Sequence, residues 1–462
     1  MEVIITNLLN VLKRKDSDMT EGVIWKHLVS FAIPMAIGLL FQQLYNTVDT
    51  IVVGRFVSKE ALAAVGSTTS IINTLVGLCA GLATGASVII SQYYGAHEKQ
   101  KLSKAVNTTI AFTGILCVVA TVVGIIITDP MLRFMDTPDE VFAESHKYLT
   151  IYFAGVTGLI LYNMGGSILR AVGDSTRPTY YLILSACLNI VLDLVFVIVF
   201  DMGVMGVAVA TDISQLISGS LILVSLTRTK DDYAIKWKQM GIDPGVLKQI
   251  FTIGMPAGIQ QAVTSFSNVY VQSYINFFGS SAMAAWTAYT KLDVFIMVPV
   301  QAIALASTTF VGQNYGAKNI KRLRKGINWA LSSSVIITAA LAVLVLIFRD
   351  TLLLMFTTDS EVLAFASTFT LWVSPFYVLI CFNQIYAGAL RGVGKSIIPM
   401  IIMLSSFVVF RQIYLYINKS LGGGYIKTAL SYPAGWLVCS VTMTIFYFIV
   451  MRKVEKKFET TD

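Results

Sequence analysis

Apolar stretches of about twenty residues or more, separated by short polar ones, run along the chain from about residue 28 to 451. A helix crossing the roughly 30 Å hydrocarbon core of a bilayer needs about 20 predominantly apolar residues. Twelve stretches meet that length, near 28–54, 61–94, 103–127, 141–169, 178–200, 204–227, 248–278, 282–314, 326–348, 362–390, 397–418 and 427–451. The pattern predicts an all-α polytopic membrane protein with twelve transmembrane helices in two pseudo-symmetric six-helix lobes. It divides into an N-terminal cytoplasmic segment (1–27), an N-lobe (28–227), an inter-lobe linker (228–247), a C-lobe (248–451) and a cytoplasmic tail (452–462). Residues 3–12 are apolar and precede Lys13, Arg14 and Lys15, the reverse of a signal peptide's order. They read as an interfacial helix, and Met19 makes residues 1–18 an optional extension.

Charge sharpens the topology. Only 13% of the 462 residues are charged, against roughly 25% in a soluble domain, which excludes an ordinary cytoplasmic enzyme. Of the 34 Lys and Arg, 25 fall in segments on the side of the N-terminus and 7 on the other. That asymmetry is the positive-inside rule, so the net charge of +8 expresses orientation and not nucleic-acid binding. Both termini are expected in the cytoplasm, with the chain in the cell (inner) membrane. Five scattered cysteines and three histidines at span ends or in loops offer no disulfide framework, metal cluster or nucleophile–base pair, which disfavours an intramembrane enzyme and implies no cofactor.

The chain repeats itself at an offset of 221 residues. Gln92-Tyr93-Tyr94-Gly95-Ala96 returns as Gln313-Asn314-Tyr315-Gly316-Ala317, and Leu169-Arg170-Ala171-Val172-Gly173 as Leu390-Arg391-Gly392-Val393-Gly394. Six spans per repeat make the two halves parallel, a transporter architecture with the substrate between repeats. These motifs, with Ile33-Pro34-Met35 opening span 1, resemble the multidrug and toxic compound extrusion (MATE) family from about residue 20 to 452, and most of all its prokaryotic DinF-type and MepA-type branch. The resemblance implies export of organic cations or amphipathic compounds in exchange for protons or sodium ions, by a protein expected to act as a monomer. A flippase for lipid-linked or polysaccharide precursors shares the two-lobe build. It would suit a strongly cationic cavity, whereas only Lys291 and Arg411 lie deep within spans.

Four of the 26 acidic residues fall well inside spans: Asp49, Asp193, Asp212 and Asp293. An intramembrane carboxylate is costly and needs a proton, a partner or water. Counting about 1.5 Å per residue puts Asp49, Asp193 and Thr211 roughly 8–11 Å below the outer boundary, and Asn189 lies one turn deeper than Asp193 on the same face. Asp49, Asn189, Asp193 and Thr211 thus form an all-oxygen set able to share a proton or coordinate Na⁺, and the family resemblance implies the same arrangement for the coupling site. Tyr45, Asn163 and Asp212 are candidate supporting residues, and Pro34 is a candidate coupling bend in the span that carries Asp49. Glycines 77, 81 and 85 read as a packing stripe. In the second half, Lys291, Asp293 and Arg411 form a charged group, in which Arg411 is the better partner for Asp293. At the 221 offset Asn189 and Asp193 become Phe410 and Tyr414, so no NorM-type carboxylate site is expected there.

Overall fold

The computed structural model describes residues 18–135 and 137–459; the apolar segment 3–12 lies outside them. In chain order the helices are α1 (Ile24–Phe56), α2 (Lys59–Gly95), α3 (Lys99–Phe134), α4 (Asp139–Gly155), α5 (Thr157–Ala171), α6 (Thr176–Leu194), α7 (Gly203–Arg228), α8 (Pro244–Asn276), α9 (Ser280–Gly316), α10 (Ile320–Leu353), α11 (Ser360–Val373), α12 (Tyr377–Gly392), α13 (Ile397–Leu404), α14 (Arg411–Ser420), α15 (Tyr425–Ala429) and α16 (Ser431–Glu459). A π turn, Val195–Val199, extends α6, and another, Ser405–Phe410, joins α13 to α14. Polar residues fix several starts. The Ser58 hydroxyl accepts from the Ala61 amide at 3.0 Å, Asn319 from the Arg322 amide at 3.0 Å, and Asp359 from the amides of Glu361 and Val362 at 2.9 and 3.1 Å.

Ten helical stretches among the described residues are long and apolar enough to cross a membrane, and α4 with α5 forms an eleventh span bent by 45°. The twelfth expected span, α8, is a continuous helix of 33 residues, but Gln260, Gln261, Ser265, Ser267, Asn268 and Gln272 lower its hydropathy below the others. Span 4 is broken at Val156 and not straight. Gly155, at the break, faces Asp212: a Cβ there would lie 1.9 Å from the aspartate's carboxyl carbon.

The chain folds as two compact units, whose borders differ from the expected lobes. Ile33–Met255 form one unit; Met19–Ala32 group with the chain from Pro256 onward. The borders therefore fall inside α1 and α8, next to Pro34 and at Pro256, and not in the segment 228–247. That segment is fastened to the first unit. Tyr233 is buried and accepts from Arg177 at 3.0 Å, the Lys236 amide donates to Asn107 Oδ1 at 3.1 Å, and Lys104 pairs with Asp243 at 2.6 Å. Pro244-Gly245, inside the expected linker, form the first turn of α8, capped by Asp243 Oδ1 accepting from the Val246 amide at 2.8 Å. The glycine stripe acts as packing: Gly254 of α8 lies so close to Gly81 and Leu82 that a Cβ would approach Leu82 Cα to 2.8 Å.

In the second unit the stretch 19–22 is clasped by the C-terminal end of α9 and the N-terminal end of α10. The Met19 amide donates to Gln313 Oε1 at 2.8 Å, and Arg322 donates to the carbonyls of Met19 at 3.0 Å and Gly22 at 2.7 Å, as well as to that of Glu21. Hydrogen bonds from a charged donor contribute about 1.5–3 kcal/mol each. Arg322→Ala is therefore expected to free this stretch, read as several-fold faster tryptic cleavage at Lys26 with the rest of the chain resistant; an unchanged cleavage rate would contradict the clasp.

Candidate functional site

Three helices of the first unit, α1, α6 and α7, bring the four expected residues together in a sealed interior. Asp49, Asn189, Asp193 and Thr211 are 8%, 2%, 0% and 7% exposed. The Asn189 amide donates to the Thr211 hydroxyl at 3.4 Å, and the carboxyls of Asp49 and Asp193 are within hydrogen-bonding reach of each other. No donor among the described residues serves Asp49 Oδ1, Asn189 Oδ1 or either oxygen of Asp193. Several buried acceptors without donors depart from the rule that buried polar groups are paired. Two adjacent carboxyls out of water cannot both stay ionised unless a positive charge joins them. The site is thus built to take up a proton or a hard cation, and its ligand atoms are all oxygen.

The supporting residues divide. Tyr45 is half-buried beside Asp49, within hydrogen-bonding reach of Gln42 and Gln215. Asp212 packs against Gly155 at the helix break and interacts electrostatically with Tyr148 and Tyr152. Asn163 is not brought to the carboxyls: its amide donates to Leu159 O of its own helix at 2.9 Å. Pro34 meets the site's scaffold directly, because its carbonyl accepts from Thr179 of α6 at 3.0 Å, on the helix that carries Asn189 and Asp193. Two residues escaped the sequence reading. Tyr148, 6% exposed, lies near Asp49, Asp193 and Asp212, and Gln215, 7% exposed, lies one turn beyond Thr211. The i, i+4 pairs Tyr148/Tyr152 and Thr211/Gln215 were the available signals.

Among the described residues the second unit holds no counterpart of this set, and its charges do not pair as expected. Arg411, 3% exposed, donates to Ser267 Oγ at 3.0 Å and Asn268 Oδ1 at 2.9 Å and stacks on Tyr432 at 4.8 Å. Asp293 accepts from the Tyr377 hydroxyl instead, and Lys291 is exposed. The expected Asp293–Arg411 pair is therefore replaced by a row of rings, Tyr432, Trp286 and Tyr289, with centroids 5.2 and 5.1 Å apart.

Two helical repeats, one with a sealed acidic site within its spans, define a membrane transporter, and the chain belongs to the MatE family, whose model matches residues 34–195 and 256–417. It is a multi-pass transporter of the multidrug type and not an enzyme. Among relatives, it is 29% identical over 442 residues to the "Probable multidrug resistance protein YoeA" of Bacillus subtilis, covering 93% of this chain and 95% of that one. It is 23% identical to a "FAD transporter" of Shewanella oneidensis, covering 94% and 96%. A solved structure described as the outward-facing conformation of a multidrug resistance MATE family transporter superposes with a TM-score of 0.90 at 25% identity, over 96% of this chain and 99% of that one. The matched ranges lie 222 residues apart, so the model matches each half of the chain once.

Proposed function

We propose that the protein is a secondary active efflux antiporter of the cell (inner) membrane, both termini cytoplasmic, exporting amphipathic compounds, organic cations among them, against entry of H⁺ or Na⁺. The observation that carries this reading is the set of donor-less oxygens at Asp49, Asn189 and Asp193, buried where two carboxyls meet. Uptake of one positive charge neutralises that repulsion, and Thr211, Tyr45, Gln215 and Tyr148 adjust around it. The α1 helix carries both Asp49 and Pro34, and Thr179 ties Pro34 to the helix of Asp193. Loading of the site can thus bend α1 and shift access from one side of the membrane to the other.

One proton moving down about 100 mV and one pH unit releases about 3.7 kcal/mol. Exchange of one proton for one monovalent cation leaves only the pH part, so strong concentration of a cation requires more than one ion per cycle. The test is energised uptake of a cationic dye into everted vesicles, whose lumen stands for the outside of the cell. Transport is expected to stop when the pH and sodium gradients are both collapsed; transport that persists overturns the antiport reading.

A second cargo is favoured by one observation. Arg391 is half-buried and Arg411 buried, each with an Nε that no described acceptor serves, and the Shewanella relative is described as carrying FAD, an anionic aromatic compound. Accumulation of FAD in vesicles holding the wild-type protein, lost on Arg411→Gln, would support that cargo.

A further inference from the structure

The acidic residue the coupling site does not use is Asp293, on α9 about 20 Å along the helix from Ser280. Its setting is the opposite of Asp193's. Asp193 is sealed, with no donor for either oxygen. Asp293 is half-buried, and its Oδ1 accepts from the hydroxyl of Tyr377 on α12. Tyr377 has one proton to give, so at the 2.7 Å contact Tyr289 must be the donor to Tyr377. Tyr289 and Tyr377 are only 4% and 1% exposed, and they pack among Trp286, Phe369 and Trp436. The other carboxyl oxygen has no described partner and is not among the sealed atoms.

These differences assign different tasks to the two carboxyls. A group with no donors and no access to bulk water stays in a neutral interior by taking up a compact positive charge. A carboxylate that accepts a relayed pair of tyrosine hydroxyls is served as an anion, since hydrogen bonds to charged acceptors are the stronger ones and chains of them reinforce each other. One of its oxygens remains for a ligand, beside electron-rich rings that also attract cations. Arg411, the cation that could have neutralised it, is engaged with Ser267 and Asn268 beyond the row of rings.

Building on the efflux reading, we propose that Asp293 is the residue that recognises the positive group of an organic cation in the second unit, with Tyr377 and Tyr289 as positioning residues that hold its carboxylate. Asp49 and Asp193 carry the coupling ion, and Asp293 carries the cargo.

The test is equilibrium binding of tetraphenylphosphonium, a permanent monovalent organic cation, to the purified full-length protein in detergent, with thermal unfolding measured in parallel. Asp293→Asn is expected to weaken binding at least tenfold while Tm stays near wild type, Asp293→Glu to recover part of the loss, and Tyr377→Phe to weaken binding at least threefold. In efflux assays the Asp293→Asn loss appears mainly in KM. Folded Asp293→Asn with unchanged affinity overturns the proposal, as does a wild type that does not bind the probe. Should Asp293→Asn fail to fold, Tyr377→Phe decides, and a change below threefold overturns it. A wild type that binds the probe through Asp293 yet shows no ion-driven efflux would contradict the antiport reading and leave this site standing.

Discussion

Asp193→Asn is expected to abolish ion-driven efflux, to less than a tenth of the wild-type rate, with the protein still folded and inserted. Asparagine keeps the shape of aspartate but has no proton to exchange and no negative charge for Na⁺. It also brings an amide donor to a site whose neighbours, Asp49 Oδ1 and Asn189 Oδ1, are acceptors without donors. That new hydrogen bond replaces the one an arriving proton or cation would make, so stability should hold or rise while coupling is lost. Asp49→Asn is expected to do the same, since both carboxyls act as a unit, and the double variant should be no worse than either single one. The checks are dye efflux together with thermal unfolding of each variant. Normal pumping by either single variant would remove that residue from the coupling site.

Gly158→Leu is expected to destroy function from a distance. Gly158 of α5 faces α7 so closely that a Cβ would lie 2.3 Å from the Leu216 amide nitrogen, while on the other side Gly219 comes within 2.8 Å of the Gly158 carbonyl by the same measure. Two helices that meet through glycines have no side chain to move aside, so the backbones must part. Overpacking of this kind costs about 1–3 kcal/mol. The displaced segment is the one that presents Thr211, Asp212 and Gln215 to the acidic site. A Tm several degrees lower and loss of efflux are the expected results, with Gly158→Ala milder on both; a Gly158→Leu protein with wild-type Tm and transport would contradict the packing described.

The parts legible in the sequence are those governed by simple counts. Apolar run length located the spans, and rise per residue put Asp49, Asp193 and Thr211 at one depth. The i, i+4 rule put Asn189 beside Asp193, and the structure places these four residues in one interior. What escaped depends on tertiary contact. Tyr148 is one of 20 tyrosines, and nothing along the chain says that it sees three aspartates. The break at Val156 lies where Gly155 meets Asp212 of another helix, a contact no count along the chain gives. The segment 228–247 looked like a linker because it is polar and carries both signs of charge. Its Tyr233, Lys236 and Asp243 turn those same groups into anchors on the first unit. Charge complementarity suggested Asp293 with Arg411, but a tyrosine hydroxyl and an amide carbonyl satisfied them separately.

The central claim is that a cation entering between Asp49 and Asp193 drives export, and the most direct measurement is dye movement in proteoliposomes under one imposed gradient at a time, pH or Na⁺. Wild-type protein is predicted to move the dye uphill under at least one of the two and under neither when both are absent, whereas Asp49→Asn and Asp193→Asn respond to none. Uphill movement by either variant equal to wild type, or wild-type movement indifferent to both gradients, would contradict the account.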